Sequence, residues 1–128
     1  MILLDTHVYL WLVNGDLKLK QNYLDFLENE QKKFISVISI WEISLLLKRE
    51  RLKLNQALEE WIRNSTIAFK IDVINLDPDI IYVYHMLNNF HGDPADKFIA
   101  STSINRKIPL LTFDRKLIDY SGVETLPL

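Results

Sequence analysis

The sequence predicts an α/β domain: a mostly parallel central sheet with helices on both faces. Two observations carry the prediction. Short apolar runs alternate with longer stretches of helical periodicity, the pattern of strands joined by crossover helices. The 128 residues contain only three glycines and four prolines, with no linker-like, repeated or low-complexity stretch, so residues 1–128 read as one domain.

Taken in order, Ile2-Leu3-Leu4 is a short buried strand ending on Asp5. A helix follows through Tyr9, Leu10 and Leu12 and stops near Asn14-Gly15. Tyr23, Phe26 and Leu27 share one face of a helix expected over Lys20–Gln31. Phe34–Val37 is the next strand. The Ser39–Arg49 helix carries Ile40, Trp41, Ile43, Leu45, Leu46 and Leu47, apolar nearly all round, and should be largely buried. Leu58, Trp61 and Ile62 mark a more exposed amphipathic helix, and Phe69–Leu76 alternates like a strand. Asp77-Pro78 opens a helix bearing Ile80, Ile81, Tyr84 and Leu87. The His91-Gly92-Asp93-Pro94 turn feeds another helix through Asn105. Pro109–Thr112 is a strand, Asp114–Tyr120 a short helix, and Val123–Leu126 a last edge strand.

Composition narrows the function. Fifteen basic and seventeen acidic side chains leave a formal charge of −2, which excludes a histone-like polycation. It leaves room for a polyanion held by a local basic patch or a bound cation. With no cysteine there can be no disulfide, thiolate metal site or cysteine nucleophile. No signal-peptide pattern stands at the start and no apolar run approaches membrane-spanning length, so a cytoplasmic location is expected.

Four acids fall at related places in this layout. Asp5 follows the first strand, Glu42 lies in the first turn after the second, Asp96 opens its helix, and Asp114 follows the Leu110–Thr112 strand. The carboxyl ends of parallel strands form the ligand crevice of such sheets, so the four can converge. Like charges that close need a cation, and an all-oxygen donor set favours Mg²⁺ or Mn²⁺. Carboxylate-held Mg²⁺ hydrolyses phosphodiesters, which is nuclease chemistry.

Each acid also has a local explanation. Ser39-Ile40-Trp41-Glu42 reads as a capping box. Asp93 reads as an N-cap followed by Pro94 at the first helical position, with Asp96 favoured by the dipole. Asp114 can cap the short helix after it. Nothing local requires an acid at Asp5. Joint placement, not any single residue, points to a site.

Leu3-Leu4-Asp5-Thr6-His7-Val8, Ser39-Ile40-Trp41-Glu42-Ile43, His91-Gly92-Asp93-Pro94-Ala95-Asp96-Lys97-Phe98-Ile99-Ala100 and Leu111-Thr112-Phe113-Asp114-Arg115 together resemble a PIN domain. More narrowly, they resemble the VapC-type toxins of bacterial toxin–antitoxin pairs. The resemblance runs the length of the domain. It implies a Mg²⁺-dependent endoribonuclease, with Mn²⁺ able to substitute, whose catalytic and metal-binding acids match Asp5, Glu42, Asp96 and Asp114. It also implies a cognate antitoxin partner and a homodimer. Lys97 stands where the subgroup commonly has arginine, keeping the charge without the bidentate fork. Leu46 stands where relatives often carry lysine, with Lys48 two residues on.

In the roles assigned on this basis, Asp5, Asp96 and Asp114 are metal ligands, direct or through water. Glu42 orients or deprotonates the attacking water or holds a second ion. Thr6 and Thr112 are candidate hydrogen-bonders to these acids, although both read more simply as solvent-facing turn residues, and Lys97, Arg115 and Lys116 are candidate RNA contacts. His7 and His91 flank the motifs, with no partner carboxylate evident, and read as packing or surface residues. Trp11, Trp41 and Trp61 read as core or dimer contacts. The Lys48–Lys53 charge run reads as a solvated helix end. A catalytically silent module binding RNA or protein is the alternative, although binding alone gives no reason to keep a repulsive cluster. A phosphoacceptor domain would need an acidic pair after the first strand and a lysine after the last core strand; Asp5-Thr6 and Thr112-Phe113 supply neither.

Overall fold

The computed structural model describes residues 1–30 and 32–126. Along the chain run β1 (Ile2–Leu4), α1 (Thr6–Asn14), α2 (Gln21–Asn29), β2 (Lys33–Ser36), α3 (Val37–Lys48), α4 (Leu58–Phe69), β3 (Ile71–Ile74), α5 (Pro78–Met86), α6 (Pro94–Arg106), β4 (Leu110–Leu111) and α7 (Arg115–Ile118). The strands lie in the order β3-β2-β1-β4, every pair parallel. Ile2, Leu3 and Leu4 are each wholly buried, as a strand covered on both faces must be.

Side-chain alternation sorts the two faces. Ile2, Leu4, Ile35, Ile71 and Leu111 pack with Val8, Tyr9 and Leu12 of α1, Leu27 of α2, Ile43 of α3 and Trp61 of α4. Leu3 and Leu110 turn the other way, onto Ile99 and Ala100 of α6 and Leu117 of α7. The chain builds outward from β1 through β2 to β3, then returns to lay β4 on β1's free side. That reversal puts the topological switch point between β1 and β4, where the crevice of an open parallel sheet forms. Asp5 leaves one of these strands and Thr112 the other.

Several elements depart from expectation. Helix α3 starts directly off β2, and Ser36, not Ser39, is its N-cap, with Oγ accepting from the Ile38 N–H at 3.0 Å. The capping-box reading of Ser39 and Glu42 therefore fails. Nor is α3 largely buried: only Ser39 and Ile43 are, because the helix packs by one side, and Trp41 is 52% exposed rather than in the core. Trp61 does lie in the core, edge-on to Tyr9. Strand β3 is shorter than Phe69–Leu76 because α4 runs through Phe69 and ends on Lys70 in the left-handed region (φ 56°). The Val123–Leu126 edge strand is reduced to one bridge, Thr125 beside Leu110.

Helix α2 is described from Gln21 to Asn29; its expected end at Gln31 lies outside the described residues. The buried Lys33 ammonium donates to the carbonyls of Leu27 and Glu30, both at 3.1 Å. It thereby serves orphan carbonyls where positive charge also suits the dipole. Among the described residues no helix is long and apolar enough to cross a membrane.

Candidate active site

Asp5 is 3% exposed and ends β1 as the N-cap of α1. It therefore has the local role the sequence did not suggest. Both its oxygens are held: the Thr6 N–H donates to Oδ1 at 2.8 Å and the Thr112 hydroxyl to Oδ2 at 2.6 Å. Thr112 also accepts from the Asp114 N–H at 3.1 Å, so one hydroxyl ties the ends of β1 and β4 together. Asp114 in turn accepts from the Lys116 N–H at 3.0 Å, as the expected cap of α7.

Glu42 sits in the second turn of α3, half-buried, with Oε1 accepting from the Thr6 hydroxyl at 2.6 Å. The same hydroxyl shares a 2.8 Å hydrogen bond with Ser39, which is wholly buried one turn before Glu42. Burial lifts the Glu42 carboxyl above its ordinary range; the Thr6 hydrogen bond opposes this, and the charges of Asp5 and Asp93 add to it.

Asp96 stands at the third position of α6. Asp93, the N-cap, accepts the Asp96 N–H at 2.8 Å, and Pro94 takes the first position as expected. The Asp96 carboxyl is pushed up to about 7, first by burial and then by the charges of Asp93, Asp5, Asp114 and Glu42. All four acids picked out in the sequence thus share one electrostatic neighbourhood, with Asp93 added as a fifth charge. As the side chains stand, no three Asp, Glu or His groups among the described residues close around one point. Mutual repulsion favours that spread; a hard, oxygen-seeking cation suits the donor set, which is entirely carboxylate.

The sequence reading missed three residues. His7 does have a carboxylate partner: Nδ1 lies 3.5 Å from Asp5 Oδ2, while Nε2 accepts the Phe113 N–H at 3.0 Å. Its ring joins Trp11 and Phe113 in an aromatic cluster. A histidine two residues past an acid that caps a helix was the available signal. Ser39, at i−3 from Glu42, shares its helix face. Gly92 is required by close approach: a Cβ there would stand 2.5 Å from Phe90 Cε1 and 3.1 Å from Asp96 Cβ.

Of the candidate RNA contacts, Lys97 lays its ammonium over the Tyr84 ring, 4.3 Å from the centroid. Arg115 and Lys116 are exposed on α7 beside Asp114, Arg115 lying 3.4 Å from Asp119.

The family model described as PIN domain matches residues 2–123 of this chain, a span holding all four acids. The chain is 28% identical to Ribonuclease VapC22 of Mycobacterium tuberculosis over 117 residues, covering 91% of this chain and 88% of that one. Its fold is similar to that of VapBC from Salmonella typhimurium bound to DNA (TM-score 0.73, 17% identity, 98% of this chain and 96% of that chain). It is also similar to VapBC2 from Rickettsia felis bound to a fragment of promoter DNA (TM-score 0.71, 18% identity, 98% of both chains). The family model spans nearly the whole chain, sheet and acids together, and the chain belongs to the PIN domain family.

Proposed function

We propose that this protein is a Mg²⁺-dependent endoribonuclease, with Mn²⁺ able to substitute, acting as the toxin of a toxin–antitoxin pair. The observation that carries the reading is the state of Asp96: a half-buried carboxyl raised to about 7 among four other acids. A fold gains no stability from such repulsion, whereas a cation site requires it. The relative named as a ribonuclease, similar over most of both chains, and the toxin–antitoxin complexes among the structures of similar fold support the same reading.

Asp5, Asp96 and Asp114 would hold the ion, Asp5 being fixed by Thr6 and Thr112. The ion, when bound, acidifies water and offsets charge growing on a phosphodiester. Glu42 serves as the base. Burial makes its carboxylate more basic than an exposed one, and Thr6 fixes the oxygen facing it, so the other is left to take a proton from water. The protein works in the cytoplasm, where a cognate antitoxin holds it inactive, and pairs as a homodimer. The exposed Ile81, Tyr82 and Met86 of α5 supply apolar surface suited to a protein contact.

Purified partner-free protein should cut RNA with Mg²⁺ or Mn²⁺ and stop on addition of EDTA. Expressed alone in bacteria, it should arrest growth, and Asp5→Asn should not. Cleavage that persists in EDTA would overturn the metal-dependent reading.

A further inference from the structure

Beside the acids lies an open cleft of about 500 Å³, within the range of small-ligand sites. One wall is α7, with Arg115 and Lys116, continued by Tyr120 just past its end; the other is the turn of Asn88, Asn89 and His91 that leads into Asp93 and Asp96. Asp114 immediately precedes the first wall in the chain, and Asp93 and Asp96 follow the second. We infer that it is a subsite for one nucleotide of single-stranded RNA next to the scissile phosphate, reading the base as well as the backbone. The inference rests on the ribonuclease reading above and adds to it where the substrate's sequence is read.

Three features favour that ligand. The first is charge: in a chain of net −2, Arg115 and Lys116 both line this cleft, against the single acid Asp119 among its lining residues. Asp119 partly offsets Arg115, while the Lys116 ammonium has no acidic partner among the described residues. The second is unused hydrogen-bonding capacity. The side-chain amides of Asn88 and Asn89 are exposed and make no hydrogen bond among the described residues, and neither does the His91 ring. An amide offers a donor and an acceptor together, the pattern that matches a base edge. The third is preorganisation. The Tyr120 hydroxyl donates to the Asn88 carbonyl at 3.0 Å, and the Phe90 and Tyr120 rings meet edge to face at 5.1 Å. The two walls are thus fixed to each other, and Gly92, lacking a Cβ, leaves room for the Phe90 ring against its backbone. A duplex base would not present its Watson–Crick edge to such a cleft, so the ligand is single-stranded or looped.

The test uses the full chain with a pool of short RNAs randomised in sequence. Cut ends are mapped by sequencing, and binding of the same pool to Asp96→Asn protein is measured by fluorescence anisotropy in Mg²⁺. Asn88→Ala and His91→Ala should each flatten the base preference at one position beside the cut, by about tenfold, leaving other positions unchanged. Arg115→Ala with Lys116→Ala should weaken binding of every sequence at least tenfold. It should also lower the slope of log K against log salt by about 0.7 for each phosphate no longer neutralised. These side chains are exposed, so thermal melts should match wild type. Wild type that cuts the pool, with variants keeping its profile and affinity, overturns the subsite alone. Wild type that does not cut the pool, with Asp96→Asn protein that does not bind it, overturns the ribonuclease reading and this one with it. Protection of the cleft from hydrogen exchange by a co-purified antitoxin, and not by RNA, would assign it to the protein partner instead.

Discussion

Thr112 and Asp5 stand 107 residues apart in sequence and 2.6 Å apart in space, hydroxyl to carboxylate oxygen. The hydrogen bond spans the switch point between β1 and β4 and fixes a buried acid at the mouth of the crevice. Thr112→Val keeps the shape and removes the donor, leaving Asp5 Oδ2 short of a partner and the Asp114 N–H without its acceptor. Stability should fall by about 1–3 kcal/mol, measured by urea unfolding. Thr112→Ser should restore it. RNA cleavage should follow the same order, because Asp5 and Asp114 would no longer be held in register.

Thr6 offers a different lever, because its hydroxyl is the influence that lowers the Glu42 carboxyl against burial. A base must be deprotonated to act, so cleavage should fall as pH drops through the Glu42 pKa. Thr6→Val removes the hydrogen bond and should move that acid limb to higher pH. Thr6→Ser should leave it in place. A Thr6→Val profile superimposable on wild type would remove Glu42 from the role of base.

Gly92 tests the packing behind Asp96. Gly92→Ala places a methyl 2.5 Å from the Phe90 ring, which must shift. Overpacking of this kind costs about 1–3 kcal/mol. The displaced ring should also loosen the Phe90–Tyr120 packing, so exchange protection of residues 88–92 should fall before that of β1.

The architecture was readable because a buried parallel strand and an amphipathic helix leave different periods in sequence. Ile2-Leu3-Leu4 and the Asp93-Pro94 helix start are clear cases. The grouping of the four acids was readable in part from topology, because Asp5 and Asp114 follow β1 and β4, which pair side by side, and in part from the helix-start pattern around Asp96. Two kinds of information were missing. The start of α3 was misplaced because Ser36 and Ser39 are both competent caps, and the choice depends on where β2 stops pairing with β3, which joins distant segments. His7 was passed over because its partners depend on the β4–α7 turn reaching Phe113 across to α1, and Phe113 lies 106 residues away. Burial of α3 was overestimated for a similar reason: an all-round apolar helix does not reveal how many neighbours it has.

Asp96 links stability to the site, and the sign of the effect can be worked out. Its folded carboxyl titrates at about 7, against an ordinary value of 3.8. Between those values the folded state holds a proton that the unfolded state has released, so stability contributed at low pH is lost as pH rises from about 4 to about 7. Asp96→Asn cannot titrate. In EDTA the mutant should therefore melt above wild type, with a gap that widens across that window and is constant above it. A purely structural role at the start of α6 forecasts the reverse, since Asn gives up a favourable dipole interaction of about 0.3–1 kcal/mol at neutral pH. Adding Mn²⁺ should invert the order. Free metal at tenfold its Kd stabilises the wild type by about 1.4 kcal/mol, which raises Tm by several degrees for a chain of this size. The mutant, lacking one ligand and still holding the others apart by charge, should respond much less. Melting curves for both proteins at pH 5 and pH 8, in EDTA and in Mn²⁺, decide between the two roles. A mutant less stable in EDTA at pH 8 and as metal-responsive as wild type would remove Asp96 from the site.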